Sequence, residues 1–452
     1  MERPPPWVTS ENVALFTDLY ELTMLEAYLA EDLFEPAVFS LFFRKLPATR
    51  SYLVACGLDD VLGYLERLRF TDEALRYLKE RFAFSDHLLE WLHAFRFTGD
   101  VHAMREGMPV FPNEPILEVT APLPEAQLIE TFVLNQVHFQ TLLASKASRV
   151  VQAAKGRRVV DFGMRRIHGA DAGLKSARAF HVAGVDATSN VLAGFAYDLD
   201  VTGTMAHSYV QAHDDERDAF RAFSRVWPST VLLVDTYDTL EGVRRVTELA
   251  KERGDAFQVR AVRLDSGDLL TLAKGARRLL DEAGLERVQI LASGGLDEYK
   301  LHALVEAGAP IDAFGVGTGM GVSDDAPSLD LAYKLTEYAG QGRMKTSTGK
   351  ATLPGRKQVF RVEEGGDAVR DVIARADEVL PGRPLLEKVM EGGRRLPAGR
   401  VSLDEARALC KREVALLPAR LKRLERAEPP YRVEVSDRLA EDREHLRASL
   451  NP

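Results

Sequence analysis

The chain has 452 residues, 46% of them hydrophobic and 28% charged, with a formal net charge of −9. That length allows two or three ordinary domains, or one large barrel with attachments, around a sizeable core. The acidic balance argues against a general nucleic-acid surface, and no run of about 18 apolar residues offers a membrane-spanning helix; the only two cysteines, Cys56 and Cys410, cannot by themselves build a zinc site and suggest no disulfide framework.

The opening MERPPPWVTSENVALFTD holds no apolar stretch of signal-peptide length, and Pro4–Pro6 mark a stiff start. A cytoplasmic protein with neither nucleic-acid nor membrane partners is expected. Helical stretches near 11–30, 58–95 and 124–155 enclose strand-like patterns at 36–60 and 97–120, which have Pro and Gly turns. This reads as an N-terminal α+β domain over 1–150.

From Arg157 to about Gly321 short β-like runs alternate with helical segments. The runs are 157–163, 184–189, 200–206, 230–236, 257–267, 288–295 and 312–319. Segments such as TLEGVRRVTELAKERG and DLLTLAKGARRLLDEAG carry apolar residues at helical spacing, and the second ends at Gly284, a natural C-cap. Repeated β-α units with short links mean a parallel sheet with helices outside. Seven units in one stretch favour an irregular or incomplete β/α barrel over 151–340. Beyond it, strands from about 340–375 are expected to join the N-terminal domain, and 376–452 reads as a mostly helical C-terminal extension, broken at Pro429 and Pro430. The fold class is therefore α/β.

In a β/α barrel the chemistry gathers at the C-terminal ends of the strands. Here those ends carry Asp161-Phe162-Gly163 with Arg165 and Arg166, then Asp186, His207, Asp235, Asp265-Ser266-Gly267-Asp268, Ser293-Gly294-Gly295 and Gly315/Gly317/Gly319. One polar strand end is an ordinary turn or cap; seven in succession point to a site. The glycine-rich ends ask for a phosphate, because free N–H groups and a helix dipole hold an oxyanion. Neither GVGTGMG nor TSTGKA satisfies a nucleotide motif: Met320, Met344 and Ala351 stand at the wrong places. Asp265 offers a hard oxygen ligand suited to Mg²⁺, in part through water, while Asp268 reads as a helix N-cap. An arginine after Phe162 can grip a carboxylate with two parallel bonds, and the ring can stack on a planar substrate.

His207 and His213 are six residues apart, about 240° around a helix at 3.6 residues per turn, so they would not share a face as a chelating pair. His213 lies in the charged HDDERD helix start and reads as a surface residue. His207 follows small residues at a strand end, with Ser208 available to cap the next helix, and is an acid/base or nucleophile candidate.

DFGMRR, DATSNVLAG, GTMAHSYVQA, VDTYDT, RLDSGDL and ASGGLDEY occur in that order. They follow TDLYELTM and FFRKLP, and precede KTSTGKATLPGRKQVFR. Together these motifs resemble the nicotinate phosphoribosyltransferase family over nearly the whole chain. The resemblance implies a two-domain type II phosphoribosyltransferase acting on nicotinate and phosphoribosyl pyrophosphate, with Mg²⁺ and with ATP as co-substrate. The products would be nicotinate mononucleotide and pyrophosphate, in NAD salvage. It also implies a transiently phosphorylated His207 and a nicotinate site of Tyr20, Phe162, Arg165 and Asp186. Arg263, Asp265, Gly295, Gly317 and Thr318 would surround the phosphoribosyl group, beside the Ser293-Gly294 turn. Arg44 and Lys45 would serve the same anion from a neighbouring subunit of a homodimer. Three other readings stand beside this one: a nicotinamide-specific enzyme, a quinolinate phosphoribosyltransferase, and a silent phosphosugar sensor.

Overall fold

A computed structural model describes residues 7–347 and 350–450. Pro4–Pro6, together with Thr348 and Gly349 of the TSTGKA stretch, lie outside the described residues. The chain divides into two compact units, one formed by 143–327 and the other by 1–142 with 328–452.

Unit 143–327 is built on a parallel sheet of six strands: β1 (Arg158–Asp161), β2 (Ala187–Thr188), β3 (Val231–Leu233), β4 (Ala261–Leu264), β5 (Gln289–Ala292) and β6 (Ala313–Val316). Their order across the sheet is β2-β1-β6-β5-β4-β3. The first strand thus pairs with the last, Asp161 opposite Val316, a circular order that an open sheet wound in one direction would not give. The result is a parallel half-barrel. Valine, leucine and isoleucine fill strands buried on both faces, as parallel sheets require. Amphipathic helices link them, including Thr239–Arg253 and Leu269–Glu282. Asp268 caps the latter by accepting from the Leu270 and Thr271 amides, and Gly284 follows its C-cap, Ala283, at φ +69°.

The third of the seven expected strands, 200–206, is reduced to one bridge between Val201 and Thr188. Beyond Thr202 the main chain leaves the sheet, and the Thr204 hydroxyl donates to the Val231 carbonyl at 2.7 Å. A side chain here takes over from ladder hydrogen bonds. This is the seam of the half-barrel.

The other unit carries a seven-stranded antiparallel sheet centred on Pro36–Phe43 and Leu117–Pro122, extended by Leu331–Tyr338 on one side and Asp100–Ala103 on the other. Phe39 stacks on Tyr333 across strands at 4.9 Å. A second sheet pairs Lys357–Glu364 with Asp367–Arg375. Residues after 375 hold the helices Leu403–Ala415 and Asp437–Leu450. They also add strands to both sheets, at Arg383–Pro384, Glu387–Glu391, Arg394–Arg395 and Arg432–Val435. Strands of two to five residues carry too little alternation to be read beside helices of thirteen and fourteen. Arg361 and Asp371, both fully buried, anchor the second sheet through a paired contact at 3.0 and 2.7 Å.

In the same unit the Gln127 amide donates to Glu21 at 2.7 Å and to Glu130 at 3.0 Å, bridging two carboxyl groups. Burial is the main cause that pushes the Glu21 carboxyl up to about 7, and the Glu130 charge adds to it. The folded state therefore holds a proton that the unfolded chain releases above about pH 4.3, and stability falls as pH rises from there towards 7. Glu21→Gln should stabilise the protein by about 1–3 kcal/mol at pH 8, and the difference should vanish near pH 4. Denaturant unfolding at the two pH values checks this, and a gap that widened on acidification would contradict it.

Candidate active site

The strand ends of the half-barrel converge on Asp265, one residue past β4. The Ser293 hydroxyl, from the end of β5, donates to Asp265 Oδ1 at 2.5 Å and accepts from Arg263 Nε at 2.9 Å. Arg263 Nη2 lies 2.9 Å from the same carboxylate oxygen, and the guanidinium sits 5.7 Å over the ring of Phe162. His207 Nε2 stands 3.7 Å from Asp265 Oδ2, with Nδ1 3.2 Å from the Thr236 hydroxyl. Burial opposes the charge on Asp265, but Ser293, Arg263 and His207 together outweigh it and hold the carboxyl below the usual carboxylate range. This group is an anion at neutral pH.

Asp235, at the end of β3, fixes that carboxylate from behind. Its Oδ2 accepts from the Asp265 amide at 2.9 Å and the Ser266 hydroxyl at 2.6 Å. Its Oδ1 is buried with no hydrogen-bond partner among the described residues. No cluster of three or more His, Cys, Asp or Glu side chains able to hold a metal occurs among the described residues. Two hard carboxylates, one with an unpaired oxygen, fit Mg²⁺, which keeps several waters and shares substrate phosphates.

Gly294 is fixed by geometry. Its φ is +89°, and a Cβ there would lie 1.8 Å from the Asp265 carbonyl oxygen. The Gly294 and Gly295 amides have no acceptor among the described residues and remain available to an anion. The Ser293 amide is spent on the Leu264 carbonyl at 2.8 Å, so Ser293 serves through its hydroxyl and not as the expected N–H donor. One strand further, Gly317 precedes the short helix Thr318–Gly321, whose first N–H groups have no acceptor within the helix.

Phe162 and Arg165 follow β1. The buried Asp161 shapes their turn, accepting from the Gly163 amide at 2.7 Å and the Thr188 hydroxyl at 2.8 Å. Phe162 lies against Gly315, where a Cβ would meet the ring at 2.5 Å. Arg165 and Arg166 are exposed and form no ion pair among the described residues.

Asp186 does not stand at the site end of its strand. It lies before β2, at the N-terminal end of the sheet, and its carboxylate accepts from the Val159 amide at 2.9 Å. Asp312 plays the same part before β6, accepting from Ile290 at 2.8 Å. Both tie the beginning of a neighbouring strand, which is why an aspartate in a β-like run need not mark its functional end. Ser208 caps nothing: the helix begins at His207, with Ala206 as its N-cap. His213 Nδ1 lies 2.9 Å from the Tyr209 carbonyl oxygen, away from any chelating role with His207. Tyr20, Arg44 and Lys45 belong to the other unit. Tyr20 is half-exposed on helix Leu19–Ala30, Arg44 pairs with Asp330 at 3.1 Å, and Lys45 is exposed.

Comparison with known proteins agrees along the chain. The model of the nicotinate phosphoribosyltransferase (NAPRTase) N-terminal domain matches residues 15–138, the family model matches 157–358, and the C-terminal domain model matches 381–443. The sequence is 55% identical over 434 residues to a nicotinate phosphoribosyltransferase of Mycobacterium tuberculosis, covering 96% of this chain and 94% of that one. It is 43% identical over 378 residues to the Bacillus subtilis nicotinate phosphoribosyltransferase, covering 81% and 77%. The crystal structure of human nicotinic acid phosphoribosyltransferase superposes with a TM-score of 0.85 at 29% identity, covering 95% of this chain and 99% of that one. With the models spanning both units and the relatives matching nearly end to end, the chain belongs to the nicotinate phosphoribosyltransferase family of enzymes.

Proposed function

We propose that the protein joins nicotinate to the phosphoribosyl group of phosphoribosyl pyrophosphate, forming nicotinate mononucleotide and pyrophosphate in NAD salvage, with ATP hydrolysed alongside. The observation that carries this reading is the convergence of Asp265, Arg263, Ser293 and His207 at strand ends flanked by two glycine turns.

In the reaction the ring nitrogen of nicotinate bonds to the ribose carbon as the bond to pyrophosphate breaks. Positive charge develops on the ribose and negative charge on the leaving group. Asp265 and Arg263 face the ribose and its phosphates. The amides at Gly294 and Gly295 and at Gly317–Thr318 receive phosphate oxygens. Bound Mg²⁺, held by Asp265 through water and by Asp235, would neutralise the charge of the departing pyrophosphate. Phe162 would hold the pyridine ring, and the unpaired Arg165 would take its carboxylate, aiming the nitrogen at the ribose carbon. A guanidinium free for an anion favours the acid over its amide. Asp186, tied at the far end of its strand, has no part in this site.

His207 is the phosphate acceptor in this reading. With Nδ1 steadied by Thr236, Nε2 takes the terminal phosphoryl group of ATP and ADP leaves. The phosphoryl group adds charge and acceptor oxygens beside Asp265, and its loss to water changes affinity at the moment of product release. Arg44 and Lys45 would reach the anion from a second copy in a homodimer. Helix Val191–Tyr197 supports that assembly, with Val191, Leu192 and Phe195 exposed, Phe195 at 89%. We assign the half-barrel of 143–327 as the catalytic domain, and 1–142 with 328–452, whose segment after 375 adds strands to both of its sheets, as a second domain. No helix among the described residues is long and apolar enough to cross a membrane; two buried free thiols support work in the cytoplasm.

His207→Ala should lose all stimulation by ATP and keep weak ATP-independent transfer, measured as nicotinate mononucleotide formed with and without ATP. Undiminished ATP stimulation would sink the phosphate-acceptor role. Gly294→Ala should lower kcat/KM for phosphoribosyl pyrophosphate by at least about tenfold, because the turn must move to admit the methyl group. Unchanged kinetics in that variant would remove the turn from the anion site.

A further inference from the structure

The half-barrel unit contains a buried ion cluster that the mechanism above does not use. Lys146, on helix Glu130–Ala153, is 1% exposed. Its ammonium lies 2.7 Å from Glu298, 2.9 Å from Asp324 and 3.0 Å from Asp325. Arg149, one turn along the helix, bonds Glu298 at 3.0 Å and donates to the Tyr299 hydroxyl at 3.1 Å. Two cations thus face three carboxylates. Burial alone would drive Lys146 towards neutrality, but the carboxylates outweigh it and hold its pKa above the usual lysine value. The side chain is a permanent charge here, neither a base nor a switch.

The position of those carboxylates in the chain is the informative part. Glu298 opens the helix that follows the Ser293–Gly295 turn, and Asp324 and Asp325 come just after the helix Thr318–Gly321. An ammonium group has three N–H donors, and each here meets a carboxylate. The two glycine turns are therefore tethered to one atom on one long helix. Apolar side chains in such a place commonly stabilise a fold as well or better, so the ion cluster is better explained by the position it enforces than by energy.

We infer that Lys146 is a positioning residue for phosphoribosyl pyrophosphate: it fixes the spacing between the Ser293–Gly295 and Gly317–Gly321 turns so that their amides serve one substrate. This rests on the reading of those turns as the phosphate site. Lys146 acts through Glu298, Asp324 and Asp325 and touches no substrate.

The test is steady-state kinetics of the full-length enzyme with each substrate varied in turn. Lys146→Met should raise KM for phosphoribosyl pyrophosphate at least about tenfold while KM for nicotinate stays within about twofold, and Lys146→Arg should restore most of the loss. Asp324→Asn, at a half-exposed site that tolerates the change, carries the test if Lys146→Met does not fold; it should raise the same KM alone by about threefold. Parallel changes in both KM values, or an unchanged KM for phosphoribosyl pyrophosphate in Asp324→Asn and Lys146→Met, would overturn the inference. Gly294→Ala separates the two layers. If it too leaves that KM unchanged, the phosphate reading of the turns fails; if it raises the KM while the Lys146 and Asp324 variants do not, only the positioning role fails.

Discussion

The fold of the half-barrel brings three strand ends and the seam segment to one carboxylate. Asp265 receives Ser293 from β5, Arg263 from its own strand and His207 from the seam segment, while its amide is held by Asp235 from β3. The Ser293 and Asp235 contacts depend on the strand order, because β5 and β3 are the two neighbours of β4 in the sheet. The pairing of β1 with β6 then places Phe162, lying under Arg263, beside the glycine turns. The same contacts that hold the sheet ends together set the charge of the site. An ionised Asp265 next to a fixed guanidinium gives a surface that alternates in sign over a few ångströms, suited to a substrate that carries phosphates and also develops positive charge on a sugar.

Charge at the site and charge of the chain are separate matters. The net charge of −9 belongs to the chain as a whole, and exposed surface pairs such as Arg221 with Glu252 contribute little. The groups that would meet an anion are few and local: backbone amides at Gly294, Gly295 and Thr318, and the unpaired Arg165. An acidic protein can therefore bind a polyanion without a basic face. Buried ion clusters serve another purpose in both units. Arg361 with Asp371 ties the two strands of one hairpin, and Lys146 with its three carboxylates joins segments far apart in sequence.

Much of the catalytic unit was legible in the sequence, for identifiable reasons. Strands buried on both faces read as short valine and leucine runs, and the helices between them show an apolar stripe. Gly294 was legible because a strand-to-helix turn with a left-handed backbone leaves few alternatives. His207 stood out through the small residues before it. What was not legible depends on partners distant in sequence. Asp186 looks like a strand-end acid until the sheet register puts it at the other end. Ser293 looks like an amide donor until the ladder claims its N–H. Asp235 was seen as a strand end, but its grip on the Asp265 amide needs the neighbouring strand. The run at 200–206 has strand composition, yet the seam leaves it only the Val201 bridge. The short strands after 375 have no pattern long enough to read.

The central claim is that this site turns over the acid form of the pyridine. The most direct measurement is product formation by the purified full-length protein with phosphoribosyl pyrophosphate, Mg²⁺ and ATP, supplied separately with nicotinate, nicotinamide or quinolinate. The account predicts nicotinate mononucleotide from nicotinate, no comparable product from the amide, and no CO₂ release from quinolinate. Preferential turnover of nicotinamide or quinolinate, or no turnover of any of the three, would contradict it.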